Sequence, residues 1–297
     1  MEGFAVVIVH WNQSEKCADT LDCFRSQGVP IRFLVVDNGS SSVHQPRLDQ
    51  IAAAPDVTLL RAGANLGFGP GANVGLRAWL ADSHAPEWAI VAPHDAHPLD
   101  GCLATLAAVC ASEPLAGLAC ADVGDGEVGM IDPYFGGLSR PARQSSGWEP
   151  ADYPHGTLMA LRRGCVQEIG LFDERYFSYN EEADLGRRAR AAGWKVGLVH
   201  GARVQNTHLG TSVAAVDYLQ QRNTLLMVRE MSGRYHAFIR LCISLHQISD
   251  GVRHPERRPL VFDAKARLAG LRDFLLGRFG PPPQQLYRRS GGQNAPK

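Results

Sequence analysis

Three polar pairs stand just past runs of apolar residues: Trp11-Asn12, Asp37-Asn38 and His94-Asp95. If those runs are parallel strands, all three pairs converge on one rim of a sheet, where ligands of open α/β sheets bind. A carboxylate such as Asp37 suits a base or a ribose hydroxyl there, because it accepts two hydrogen bonds in fixed geometry. The same VVDNGS run also reads as a plain turn made of Asp, Asn and Gly.

The segment Pro93-His94-Asp95-Ala96-His97-Pro98 adds a second kind of chemistry. In an extended backbone residues 95 and 97 point to one side, so an acidic oxygen and an imidazole nitrogen could share a divalent ion that bridges a diphosphate. A solvated loop is the competing reading. His208, in NTHLGT, is a candidate third ligand. Asn65-Leu66-Gly67-Phe68-Gly69-Pro70-Gly71-Ala72-Asn73 places three glycines ahead of a helix, where backbone amides can approach a phosphate, although an ordinary strand-to-helix turn has the same spacing. Asn180-Glu181-Glu182-Ala183-Asp184 opens another helix with acids in its first turn. That pattern serves either helix stability or a carboxylate that takes a proton from a hydroxyl.

The elements that must position these groups follow from periodicity. Phe4 to Val9 and Ile31 to Val36 read as buried strands, and Cys17, Leu21 and Phe24 at helical spacing before Gly28 make the crossover helix between them. A strand at 57–61, a helix at 72–81, a strand at 88–92 and a helix at 102–111 continue the alternation and imply a mainly parallel sheet. From 122 to 154 the chain is rich in Gly, Pro, Ser and Asp, as in long loops or an irregular hairpin. Order resumes near 157–162, with a helix at 181–192 and a strand at 196–200. Helical pattern then runs on to a stripe of Leu268, Leu271, Leu275 and Phe279, and residues 281–297 read as a disordered tail.

With 297 residues, 45% of them hydrophobic, the chain can bury a large core. Formal net charge is zero, yet residues 253–297 hold ten Lys or Arg against three Asp or Glu, so the tail is basic and the remainder acidic. The basic C-terminal helix could touch an anionic membrane, although packing of its stripe on the protein is the commoner arrangement. Seven scattered cysteines without a CxxC pair argue against a disulfide framework and for a reducing cytoplasm. The apolar run at the N-terminus is too short for a signal peptide or a membrane span, and nothing points to nucleic acid.

In order, VVIVHWN, LVVDNGSSS, NLGFGPGANVGL, PHDAHP, HGTLMALRR, GLFDERYFSYNEEADLGRRARAAGW, NTHLGTS and YLQQRNTLL resemble the family 2 glycosyltransferases, in particular their bacterial rhamnosyltransferase-like branch. The resemblance runs from about residue 4 to 229. It implies a GT-A fold, a Rossmann-like α/β sheet flanked by helices, over 1–210, with a helical extension at 211–280. It further implies inverting transfer of a hexose or deoxyhexose, with rhamnose or mannose suggested by the branch. The donor would be a nucleotide-diphosphate sugar, the acceptor a glycan or lipid-linked glycan, and the cofactor Mg or Mn.

Carried over by position, Trp11, Asn12, Asp37 and Asn38 would hold the nucleoside, and Asn65, Gly67, Phe68 and Asn73 the donor pocket. Asp95 falls on the metal-binding aspartate, with His97 and His208 beside it. Glu182 would be the base next to Glu181, and Gly156, Asp184, Thr211 and Arg222 would serve acceptor or diphosphate. His97 stands where an acid is common, and Glu182 where aspartate is usual.

Two enzyme classes are disfavoured, because HWNQSEK follows the first strand where a dinucleotide oxidoreductase needs a glycine fingerprint and a nucleotidyltransferase a GxGxR-type loop. The alternative is a non-catalytic protein that binds a sugar nucleotide or glycan through a degenerate site. Whether copies associate is left open by the sequence.

Overall fold

The computed structural model describes residues 3–206 and 212–287, in two compact units. The first is Met1–Met130, Ser139–Asp173 and Glu182–His208; the second is Ile131–Leu138, Glu174–Glu181 and Leu209–Lys297. The units therefore interleave, whereas the sequence suggested a single boundary near residue 210.

In the first unit, β1 (Phe4–His10), α1 (Ser14–Arg25), β2 (Ile31–Asp37), α2 (Gln45–Ala52), β3 (Val57–Arg61), α3 (Phe68–Ala81) and β4 (Trp88–Pro93) alternate, with α2 a helix that the sequence reading did not place. The strands run parallel in the order β3-β2-β1-β4. β1 is buried on both faces, and its alternation feeds two cores. Phe4, Val6 and Ile8 pack with Cys17, Leu21 and Phe24 of α1, while Ala5, Val7 and Val9 pack with Ala72, Leu76 and Trp79 of α3. α3 starts four residues before the expected position, because Pro70 fits a first helical turn, where its missing N–H costs nothing.

Beyond β4 come β5 (Ala96–Pro98), α4 (Cys102–Ser112), β6 (Ala116–Asp122), β7 (Glu127–Asp132), β8 (Gly136–Pro141), β9 (Gly147–Pro150), β10 (Met159–Arg162), α5 (Arg163–Ile169), α6 (Glu181–Ala191) and β11 (Lys195–Asn206). The sheet continues β10-β6-β11-β5 and is mixed rather than mainly parallel. β10 lies antiparallel between β4 and β6, and β5 and β9 pair antiparallel with β11. The 122–154 stretch resolves into the β7–β8 ribbon and β9. Sequence periodicity missed β6, since AGLACAD has no β-branched residue, yet all seven residues are buried.

The second unit is built on α7 (Val213–Arg253), kinked at Gly233, with α8 (Ala264–Leu275) and α9 (Gln284–Tyr287). α8 buries Ala266, Gly270, Leu271 and Phe274, so the expected stripe divides. Leu271 packs inward while Leu268 and Leu275 are exposed, because Gly270 admits the Tyr218 backbone of α7 and so fixes which face is inside. Phe279 lies beyond the helix. Residues 284–287, read from sequence as part of a disordered tail, form α9 with Leu286 buried.

Among the described residues, no helix is long and apolar enough to cross a membrane.

Candidate active site

The parallel strands bring their polar ends to one rim. His10 and Asp37 are register partners at the ends of β1 and β2, and Val9 pairs with Pro93 just before His94-Asp95. Asp37 is buried, 3.8 Å from His10, with Oδ1 accepting from the Ser40 amide (3.0 Å) and Oδ2 from Gln45 Nε2 (2.8 Å). Burial alone would raise its pKa, but the bonds from Gln45 and Ser40 outweigh it and hold the group below the usual value, ionised.

Asn12, in the left-handed region at φ 53°, links the first two strand ends. Its amide donates to Ser40 Oγ (3.0 Å) and its Oδ1 accepts from the Ser41 amide (2.8 Å). Trp11 beside it is half-buried. Gly39 follows at φ 76°, where any Cβ would collide with the Ala64 backbone, so the two rim loops close on each other only through glycine.

His10 makes the floor of this rim. Its Nε2 accepts from the Gln13 amide (3.1 Å) and its Nδ1 lies 3.2 Å from Ser40 Oγ, with the His94 ring 5.4 Å away. Burial, then repulsion from His94, lower its pKa to about 4 despite Asp37. Since the unfolded chain protonates His10 near pH 6.5, its contribution to stability is complete above that value and is lost as pH falls toward 4. Glu149 adds a second, more acidic window. Burial would raise its pKa, but His200 (2.9 Å) and Arg140 (2.7 Å) bring it down to about 2, so its contribution is lost as pH falls from 4.5 to 2. Thermal unfolding against pH is expected to show Tm falling from pH 6.5 downward, and His10→Gln should make the upper window shallower while leaving the lower one, since burial lowers the pKa of His94 and His155 as well.

Several residues assigned to ligand contacts prove to be committed within the protein. Asn38 is buried, with Nδ2 donating to the Gly67 carbonyl (2.9 Å) and Oδ1 accepting from the Leu66 amide (3.0 Å). Asn65 Oδ1 accepts from the Gly67 amide (2.9 Å). Together they shape the loop before α3, with Gly67 buried at its N-cap and Phe68 half-buried at its first position. Asn73 grips the backbone of Phe172 at both ends of its amide (2.9 and 3.0 Å), which takes it away from a donor pocket. Asp184, 4% exposed, holds Arg187 (2.9 Å) and Arg188 (2.8 Å), and Arg188 bonds the Ile169 and Leu171 carbonyls. It anchors α6 instead of reaching an acceptor.

Asp95 is buried in the turn between β4 and β5, and Nε2 of His97 is buried with no hydrogen-bond partner among the described residues. One carboxylate and one imidazole suit a hard ion that keeps waters and substrate phosphates as its other ligands, so the residues present fit a divalent metal. Among the described residues, no group of three or more His, Cys, Asp or Glu forms a ready-made cage. His208 and Thr211 lie outside the described residues. β11 ends at Asn206 opposite Ala96, two residues before His208 in the chain.

Glu182 is half-buried in the first turn of α6. Burial, then the charge of Glu182, push the pKa of Tyr153 up, and Gly186 of α6 packs against Tyr153. Tyr153, His155, Asp125, Glu127 and Ser139 line a small cleft in the first unit. Gly156, next to His155, has open space about its Cα. Sequence reasoning missed Tyr153 and His155, which stand in an irregular stretch where no periodicity says which way a side chain faces.

The second unit explains the Arg222-Asn223 pair. Phe177, Tyr179 and Asn180 all have positive φ (66°, 70° and 70°), a conformation side chains resist, immediately before Glu181, itself buried. Asn223 Nδ2 donates to the carbonyls of Tyr176, Ser178 and Tyr179 (2.8, 2.7 and 2.8 Å). Arg222, fully buried, reaches the Tyr176 and Gly280 carbonyls and Asn223 Oδ1, so it clamps the loop. Asn223→Ala removes a shared donor from those carbonyls and is expected to cost about 1–3 kcal/mol, seen as a lower Tm and faster amide exchange over residues 176–180.

Comparison with known proteins places this geometry. The family model described as "Glycosyltransferase like family 2" matches residues 136–226, which include Glu181, Glu182 and Arg222. The chain is 31% identical over 205 residues to the N-acetylglucosaminyl-diphospho-decaprenol L-rhamnosyltransferase of Mycobacterium tuberculosis, covering 59% of this chain and 66% of that protein. The chain belongs to the family 2-like glycosyltransferases. Within that family it is 24% identical over 240 residues to a low-salt glycan biosynthesis hexosyltransferase of Haloferax volcanii, covering 76% of this chain and 75% of the relative. Its fold is GT-A. A mannosyltransferase of Pyrobaculum calidifontis in complex with GDP-Man and Mn2+ superposes with a TM-score of 0.60 at 14% identity, over 94% of this chain and 88% of that one.

Proposed function

We propose that this family 2-like chain transfers a hexose or deoxyhexose from a nucleotide-diphosphate sugar to a hydroxyl of a glycan or lipid-linked glycan, with inversion at the anomeric carbon. The observation that carries the reading is the pairing, in one unit, of a sheet rim holding ionised Asp37 and buried Asp95 with a cleft whose lining residue Tyr153 feels the charge of Glu182. The likeness to a rhamnosyltransferase whose name specifies a decaprenol diphosphate acceptor supports a lipid-linked acceptor.

In this reading Asp37 accepts hydrogen bonds from the nucleoside, and the backbone held by Asn12, Asn38 and Asn65 shapes its pocket. Held by Asp95 and His97, Mg or Mn would neutralise charge growing on the departing diphosphate. An acceptor hydroxyl seated in the cleft gives its proton to Glu182 while its oxygen attacks the anomeric carbon from the side opposite the diphosphate. Attack and departure on opposite faces invert the configuration.

The test incubates the protein with UDP-, GDP- and dTDP-sugars, Mn and a set of lipid-linked and soluble glycan acceptors, following nucleoside diphosphate release and product anomeric configuration. Acceptor-dependent release with an inverted product is expected. A retained configuration would overturn the direct displacement, and absence of release with every donor would overturn the transferase reading.

A further inference from the structure

Beyond the Gly233 kink, the inward face of α7 carries a row of polar side chains with buried atoms that meet no partner among the described residues. His236, Arg240 and Ser244 recur every four residues, so neighbours stand about 5–6 Å apart between Cβ atoms. Nδ1 of His236, Nε and Nη1 of Arg240 and Oγ of Ser244 are all shielded from solvent and make no hydrogen bond. Arg240 is 6% exposed and Ser244 1%. Two rings from the 131–138 segment of the same unit wall the row: Phe135 lies 5.1 Å from the Arg240 guanidinium, and Tyr134 stacks on His236 at 4.8 Å.

Among the described residues, no carboxylate answers this charge. Asp132, beside the two rings, accepts from the Tyr134 and Phe135 amides (2.7 and 2.9 Å), and Asp217 is engaged by Arg267 (2.8 Å) and the Asp263 amide. Burial, then repulsion from Arg267, push the Arg240 pKa down to about 10, which still leaves it charged at neutral pH. A buried guanidinium without a partner is among the costliest arrangements in a folded chain, and its usual resolution is a counter-ion. The planar fork of arginine, a hydroxyl one turn away and an imidazole one turn before it match the oxygens of a phosphate group.

We infer that His236, Arg240 and Ser244, in the second unit, form an anion site for a phosphate or diphosphate group. The ligand is either a free phosphate or the headgroup of a phosphorylated lipid. The site stands whether or not the transferase reading does.

Thermal unfolding with EDTA and millimolar inorganic pyrophosphate tests it. Wild type should gain about 3 °C or more in Tm and Arg240→Met should gain none, while its Tm without anion equals or exceeds that of wild type because a buried unpaired charge is gone. Ser244→Ala, a smaller change, should weaken pyrophosphate binding several-fold and serves if the arginine variant fails to fold. Flotation with neutral vesicles carrying a polyprenyl phosphate distinguishes the sources: Arg240-dependent flotation assigns the lipid headgroup, and Arg240-dependent stabilisation by pyrophosphate alone assigns the soluble anion. If neither probe binds, or both bind wild type and variants equally, the inference is overturned.

Discussion

Glu182→Gln is expected to lower kcat by about a hundred- to ten-thousand-fold, the range associated with loss of a general base, while the donor still stabilises the protein. The amide keeps the size of the side chain but has no lone pair basic enough to take the acceptor proton. Glu182 is half-buried in a first helical turn and its charge is felt by Tyr153 of the cleft, whereas Asp184, two residues on, is locked between two arginines. Glu182→Asp, the shorter acid usual at this place in the resembled family, should keep most of the turnover. Steady-state kinetics on purified variants decide the matter: unchanged kcat in Glu182→Gln removes this residue as base.

Asp95→Asn should have the second largest effect, with turnover down by about a hundred- to a thousand-fold and loss of the metal-dependent part of donor binding. The substitution keeps the shape of a buried turn but removes the only charge that this segment offers to a cation, leaving His97 as a single neutral ligand. Mn titration followed by nucleotide-induced stabilisation reads the result. Mn dependence equal to that of wild type would move the metal away from Asp95.

Much of the scaffold was legible because buried strands and amphipathic helices leave strong periodic signals. β1 to β4 and the helices α1 and α3 appear within a few residues of where the sequence placed them, whereas α2 was not foreseen. Strands made of small residues leave no such signal, which is why β6 was missed. β10 was seen as ordered, but its direction between β4 and β6 depends on neighbours far away in sequence.

The candidate site was legible as residue types and less so as roles. Placement past a strand or before a helix brought Asn38 and Asn73 to attention and the family resemblance brought Arg222, yet neither reveals that a carboxamide is already spent on the Phe172 backbone or a guanidinium on the Tyr176 carbonyl. The reason for Asn223 is visible only once residues 177–180 are seen to carry three positive φ values.

Nucleotide-sugar binding is the central claim, and thermal shift with UDP-, GDP- and dTDP-sugars, with and without Mn, measures it most directly. One nucleotide class should stabilise the wild type by about 2.7 kcal/mol at a hundred times its dissociation constant. That stabilisation should require Mn and should fall sharply in Asp95→Asn. No shift with any donor, with or without metal, would contradict the account.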